Sequence, residues 1–220
     1  MLRKNILPLD IYQFDCPEDL LRTASEAIQR LSWTGNVLNS TSREKLNLMP
    51  VFADLHGWFK VCIEQLRIEL ELPFERLIIT QSWANRTLSG EEHHRHTHPN
   101  SYMSGVFYLT TAEDGRTLFF RRDQWFEFFL LDADGSSDRS LMHAEVPIAG
   151  KLLLFPSTLE HCVEAHKGES PRFTVSFNIF PEGRFDFRHD RLRFLNLKVL
   201  PFDEASLELP AKVDHHEDRA

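Results

Sequence analysis

Cysteine is scarce in this chain. Cys16, Cys62 and Cys162 are the only three among 220 residues, an odd and widely spaced set without a Cys-x-x-Cys pair. That argues against a disulfide framework and for free thiols in a reducing cytoplasm. Cys162 follows His161 directly, but neighbours on an extended segment point to opposite faces, which disfavours a shared ligand role. No apolar run approaches the ~20 residues of a membrane span. Met1-Leu2-Arg3-Lys4 has two cations with no long apolar run behind them, so no signal peptide is expected. Positive charge is short as well. With 25 Lys and Arg against 33 Asp and Glu, the net charge is −8, and no general nucleic-acid binding is expected, although a local basic groove stays open. Internal repeats and low-complexity tracts are lacking.

Apolar residues make up 42% of the chain and 18 residues are Phe, so a packed core is expected. The length suits one domain over 1–220: a helical N-terminal support (1–75), a β core (76–182) and a C-terminal extension (183–220). A short strand is expected around Ile6–Phe14. Pro17 suits the first position of a helix running to about Leu31, and Thr41 with Glu44 fits a capping box. Pro50 interrupts. Phe52, Leu55, Phe59, Cys62, Leu66 and Leu70 then step by three and four, one helical face of core residues ended by Pro73.

From Arg76 the pattern changes. Leu77–Trp83, Ser101–Thr110, Thr117–Phe120, Lys151–Phe155 and Phe173–Phe180 read as strands, separated by turn signals such as Asp114-Gly115 and Ala149-Gly150. Helices followed by many short strands predict helices packed on a β-sandwich or barrel. The irregular stretch Arg121–Ser140 reads equally as a lid over a substrate or as a surface hairpin. In the extension, alternation of Leu195, Leu197 and Val199 predicts one more docked strand, and Val213–Ala220 a frayed end.

Four of the 11 histidines fall within six residues: His93, His94, His96 and His98. On an extended segment His96 and His98 share a side and can reach one ion, and His161 can close the site. Imidazole suits iron, zinc, copper and nickel alike, so the spacing defines the site better than the ion. His93 and His94 are alternative ligands, and Glu91 or Glu92 is an alternative carboxylate for the third position. His166 has the wrong parity relative to His161 on a strand.

Residues 172–178 alternate polar and apolar: Arg172, Thr174, Ser176 and Asn178 on one face, Phe173, Val175 and Phe177 on the other. A polar face turned to water is one reading. An anion site is the other, in which Arg172 holds a carboxylate by two parallel hydrogen bonds and Ser176 adds a third.

The segments Ser82–Asn85, His96–Ser101, Ser104–Leu109, Gly150–Ser157, His161 and Arg172–Asn178 together resemble the 2-oxoglutarate- and iron(II)-dependent oxygenase superfamily. Within it, the nearest likeness is a bacterial and phage group with a His-x-His-Pro pattern. The resemblance implies a double-stranded β-helix, a distorted jelly roll, packed against the N-terminal helices. It implies metal ligation by His96 and His161, with His98 where the wider superfamily has an acid. It implies that Arg172 binds the distal carboxylate of 2-oxoglutarate with help from Ser176, and that Asn85 and Tyr108 line the pocket. The implied cofactors are Fe(II), 2-oxoglutarate as co-substrate and O2. The implied reaction is hydroxylation of an unactivated C–H bond of an amino acid, a peptide or protein side chain, or a small metabolite, with Trp83, Trp125 and phenylalanines as a dry wall.

Two other readings stay open at this level. A cupin-like three-histidine metalloenzyme would use the same ligands without 2-oxoglutarate, with Arg172 binding its substrate. A non-catalytic binding module would keep only the fold. A homodimer through the N-terminal helices or the 184–200 segment is a further expectation.

Overall fold

The computed structural model describes residues 10–120, 142–185 and 195–198. The elements run β1 (Tyr12–Asp15), α1 (Glu18–Ile28), β2 (Trp33–Gly35), β3 (Ser40–Ser42), 3-10 turns at Leu46–Leu48 and Pro50–Phe52, α2 (Ala53–Glu69), β4 (Arg76–Thr87), β5 (His93–His96), β6 (Met103–Tyr108), β7 (Thr117–Phe120), β8 (Met142–Glu145), β9 (Lys151–Pro156), β10 (Glu160–Val163), β11 (Arg172–Phe185) and β12 (Leu195–Leu197). Among the described residues the strands form two antiparallel sheets. The larger has the order β1-β9-β6-β11-β4-β3-β2, with β12 also on β11; the smaller has the order β5-β10-β7-β8. The predicted lid or hairpin at Arg121–Ser140, Trp125 and the frayed end lie outside the described residues.

Alternation along β9 and β11 sorts the core into two layers. Leu152, Leu154, Phe173, Val175 and Phe177 join the helices in one buried cluster, while Leu153 and Phe155 join Tyr108, Phe119 and Leu159 in another. The helical face read from the sequence supplies the first layer. Phe52, Leu55, Phe59, Cys62 and Leu66 are buried; Leu70, the C-cap residue of α2, is 37% exposed. Phe59 stacks on Phe177 with ring centroids 4.5 Å apart and meets Phe107 edge-on at 5.5 Å. Opposite Phe177, Gly105 leaves room for that ring. A Cβ there would lie 2.2 Å from Phe177 Cζ, so β6 can cross at this point only without a side chain.

Two local expectations need correction. Thr41 and Glu44 do not form a capping box. Thr41 is in β3, paired with Asn85 of β4, and the Glu44 carboxylate accepts from the backbone N–H of Ser32 at 3.1 and 3.2 Å. Sheet pairing overrides the local helix signal here. Pro17 stands just ahead of α1, at φ −54° and ψ 138°, as its N-cap residue. Among the described residues no helix is long and apolar enough to cross a membrane.

Candidate metal centre and anion site

His96 ends β5, and His161 sits opposite it on β10 in antiparallel register. His98 lies two residues beyond β5, where its backbone N–H donates to Ser157 O at 3.0 Å. Ser157 is itself fixed, because its hydroxyl bonds Ser101 at 2.9 Å and Ser104 at 2.8 Å. These contacts hold the loop after β5 against the end of β9. The ligand-type nitrogens of His96, His98 and His161 all lie within 4.8 Å of one another.

Two of these rings are oriented from behind. His96 Nδ1 donates to His94 O at 2.7 Å, and His161 Nδ1 donates to Leu159 O at 2.9 Å. With Nδ1 protonated, each neutral ring turns a bare Nε2 into the cavity, the tautomer a metal needs. His161 Nε2 faces His98 Nε2 at 3.3 Å. Burial is the main reason that the rings stay neutral, reinforced by neighbouring histidines. It pushes His98 down to about 3 and His161 to about 4, and lowers His96 as well. Phe155 meets His161 edge-on at 4.9 Å, and Trp83 lies 5.9 Å from His98.

The carboxylate alternatives do not reach this cluster. Glu91 accepts from the Leu88 N–H at 2.7 Å, and among the described residues the clusters with metal-binding geometry contain histidine alone. His166 lies on a loop, bonded to Asp114 at 2.9 Å and to Ser170 O at 2.8 Å. Cys162 is outside both clusters, as strand parity predicts.

The polar face of β11 points inward, toward the smaller sheet. Arg172, Thr174 and Ser176 line one cavity with the three histidines, Asn85, Trp83, His93 and Asn39. The water-facing reading of this strand is therefore wrong: Arg172 is 4% exposed and Thr174 5%. Arg172 donates to Gly115 O and Thr87 Oγ1, each at 3.3 Å, and its Nε has no partner among the described residues. Among the described residues no carboxylate forms an ion pair with it. Burial lowers its pKa from the ordinary value, partly opposed by Tyr108 and Asp114. A guanidinium nevertheless keeps its charge in proteins, so Arg172 is a buried cation.

Asn85 donates to Thr174 Oγ1 at 3.3 Å and Ser176 Oγ at 3.0 Å, leaving a buried Oδ1 without a partner among the described residues. Tyr108 is wholly buried and does not line the cavity. Its hydroxyl bonds Thr117, which does, at 2.7 Å. Sequence reading missed Thr87 and Gly115 as supports of Arg172, since Asp114-Gly115 carried only a turn signal. Nothing in the sequence pointed to Asn39.

Residues 81–178 match the family model described as "putative 2OG-Fe(II) oxygenase". No curated protein matches the sequence. Similar solved structures include HygX from Streptomyces hygroscopicus with nickel, 2-oxoglutarate and hygromycin B bound, at 16% identity and TM-score 0.57, covering 79% of this chain and 83% of that one. A Pseudomonas putida prolyl-4-hydroxylase is similar at 19% identity and TM-score 0.53, covering 80% and 94%. So is SnoN, an alpha-ketoglutarate-dependent epimerase from nogalamycin biosynthesis, at 10% identity and TM-score 0.61, covering 80% and 77%. The fold is thus of the jelly-roll type, and the chain resembles the 2OG-Fe(II) oxygenases through the matched segment 81–178.

Proposed function

We propose that the protein is an Fe(II)- and 2-oxoglutarate-dependent dioxygenase that hydroxylates a C–H bond of a small-molecule or peptide substrate. The observation that carries this reading is one cavity holding both three neutral imidazoles, two of them preoriented, and a buried guanidinium without a carboxylate partner among the described residues.

The residues fit the cofactors. His96, His98 and His161 hold the iron, with His98 in the place of the superfamily's acid. Arg172 takes the distal carboxylate of 2-oxoglutarate, and its unpartnered Nε marks donor capacity left for a ligand. Ser176 and Asn85 complete the polar wall, and Tyr108 steadies it through Thr117. When bound, iron(II) supplies the dioxygen chemistry, by which 2-oxoglutarate becomes succinate and carbon dioxide while the substrate C–H bond becomes an alcohol.

The protein's own part is positioning and dryness. The backbone carbonyls of His94 and Leu159 fix two imidazole tautomers. Trp83 and Phe155 wall the histidines, which limits water at the site. Arg172 sets the co-substrate's direction, because it is anchored on Gly115 and Thr87.

Anaerobic equilibrium dialysis against Fe(II) tests the ligand set. Wild type should bind one ion per chain, and His161→Ala should lose tight binding. Unchanged stoichiometry and affinity in His161→Ala would place the metal elsewhere.

A further inference from the structure

β5 carries one residue more than its partner between two paired positions. His161 pairs with His96 and Val163 with His93, so three steps on β5 oppose two on β10. On a regular strand that odd spacing would send His93 and His96 to opposite faces. The bulge brings them to one side, as bulges beside functional sites commonly do. Their rings stack 4.5 Å apart at 18°, and the His94 ring lies 5.1 Å from each. Arg95 turns elsewhere, paired with Glu160 at 2.5 Å and lying over the Phe120 ring at 3.8 Å.

The result is a second triad, His93, His94 and His96, whose ligand-type nitrogens also lie within 4.8 Å of one another. Asn39 backs His93 through a 3.4 Å contact to Nδ1, and Asn39 Oδ1 is buried without a partner among the described residues. With that amide turned over, Oδ1 accepts from Nδ1–H and His93 Nε2 is left bare. Which amide atom faces the ring is an assignment that the hydrogen bonds decide. His93 would then be prepared as a ligand in the same manner as His96 and His161.

His96 belongs to both triads, yet it has one free nitrogen, since Nδ1 is spent on His94 O. The two sets therefore cannot both use His96 at once. They also differ in access: His94 is exposed, whereas His161 is buried. We propose that the outer triad is a loading site for a transition-metal dication. It captures the ion from solvent and passes it inward about His96, with His98 and His161 replacing His93 and His94. All-imidazole donors select iron, cobalt, nickel or zinc over magnesium and calcium. This inference rests on the inner triad being the resident site.

The test mixes the metal-free, full-length protein with Co2+ under anaerobic conditions and follows tryptophan fluorescence, because Trp83 lies beside His98. The wild-type rate should saturate with Co2+ concentration. In His93→Gln/His94→Gln it should be at least tenfold slower and linear in Co2+, with one ion still bound at saturation. Equal rates with the same concentration dependence would overturn the proposal. At equilibrium, His98→Ala/His161→Ala should retain one weakly bound Co2+ that disappears when His94→Gln is added. No retained ion, or retention indifferent to His94, would also overturn it. If His161→Ala alone leaves tight binding intact, the inner assignment fails instead; the His94-dependent weak site tells the two failures apart.

Discussion

His98 and His161, 63 residues apart in the chain, bring their Nε2 atoms to 3.3 Å. His161 Nδ1 already donates to Leu159 O, so its Nε2 is bare in the neutral ring. At that separation either a neutral His98 donates its Nε2–H to the bare His161 nitrogen, or both Nε2 lone pairs turn to one cation between them. Burial disfavours a second, charging proton on the pair, so the rings stay neutral and keep ligand nitrogens for a metal ion.

Acid should therefore destabilise the metal-free protein. The histidines stand near 6.5 when unfolded, while burial holds His93 and His98 near 3 and His161 near 4. Stability is full above about pH 6.5 and is lost as pH falls toward those folded values, because the unfolded chain takes up protons first. Each differential proton steepens the loss by about 1.4 kcal/mol per pH unit. Urea unfolding of the metal-free protein between pH 7 and 4.5 measures this. His98→Ala/His161→Ala should flatten the profile, and an equally steep profile in that variant would contradict the assignment.

Arg172→Lys should weaken 2-oxoglutarate binding about tenfold or more while sparing iron. Lysine cannot reproduce two parallel bonds, and each charge-assisted bond is worth about 1.5–3 kcal/mol. Isothermal titration of the metal-loaded protein with 2-oxoglutarate gives the comparison. Equal affinity in the variant would remove Arg172 from its role.

Gly105→Ala should destabilise the protein by about 1–3 kcal/mol, since a Cβ would collide with the Phe177 ring. Adding Phe177→Leu should recover part of the loss, as the smaller side chain relieves the contact. Denaturant midpoints of the two single variants and the double variant form the cycle. Strict additivity would mean that the collision does not set the cost.

Phe59→Ala should cost about 3–5 kcal/mol, because Phe59 is fully buried where α2 meets the sheet, against Phe107 and Phe177. Urea denaturation measures it; a loss below about 1 kcal/mol would show that α2 is not anchored there.

The sequence made the chemistry legible where side-chain period and residue type agreed. Arg172, Thr174 and Ser176 alternate with Phe173, Val175 and Phe177, and the two sets do face the cavity and the helices respectively. The step of Phe52, Leu55, Phe59, Cys62 and Leu66 likewise marks the buried side of α2. The short strands β2, β3, β5, β8 and β10 were less visible, because three or four residues carry little periodicity; β7 and β12, as short, stood out only through apolar, β-favouring residues. Thr41 and Glu44 misled, since a capping signal is local and strand pairing with β4 is not. The bulge that turns His93 beside His96 depends on pairing with β10, which no spacing within 93–98 reveals.

The account's central claim is tested most directly by anaerobic titration of the Fe(II)-loaded protein with 2-oxoglutarate, following the visible metal-to-ligand charge-transfer band. The account predicts a saturable band that His161→Ala abolishes and Arg172→Ala shifts to much higher 2-oxoglutarate concentration. Iron demonstrably bound with no band at any 2-oxoglutarate concentration would contradict it.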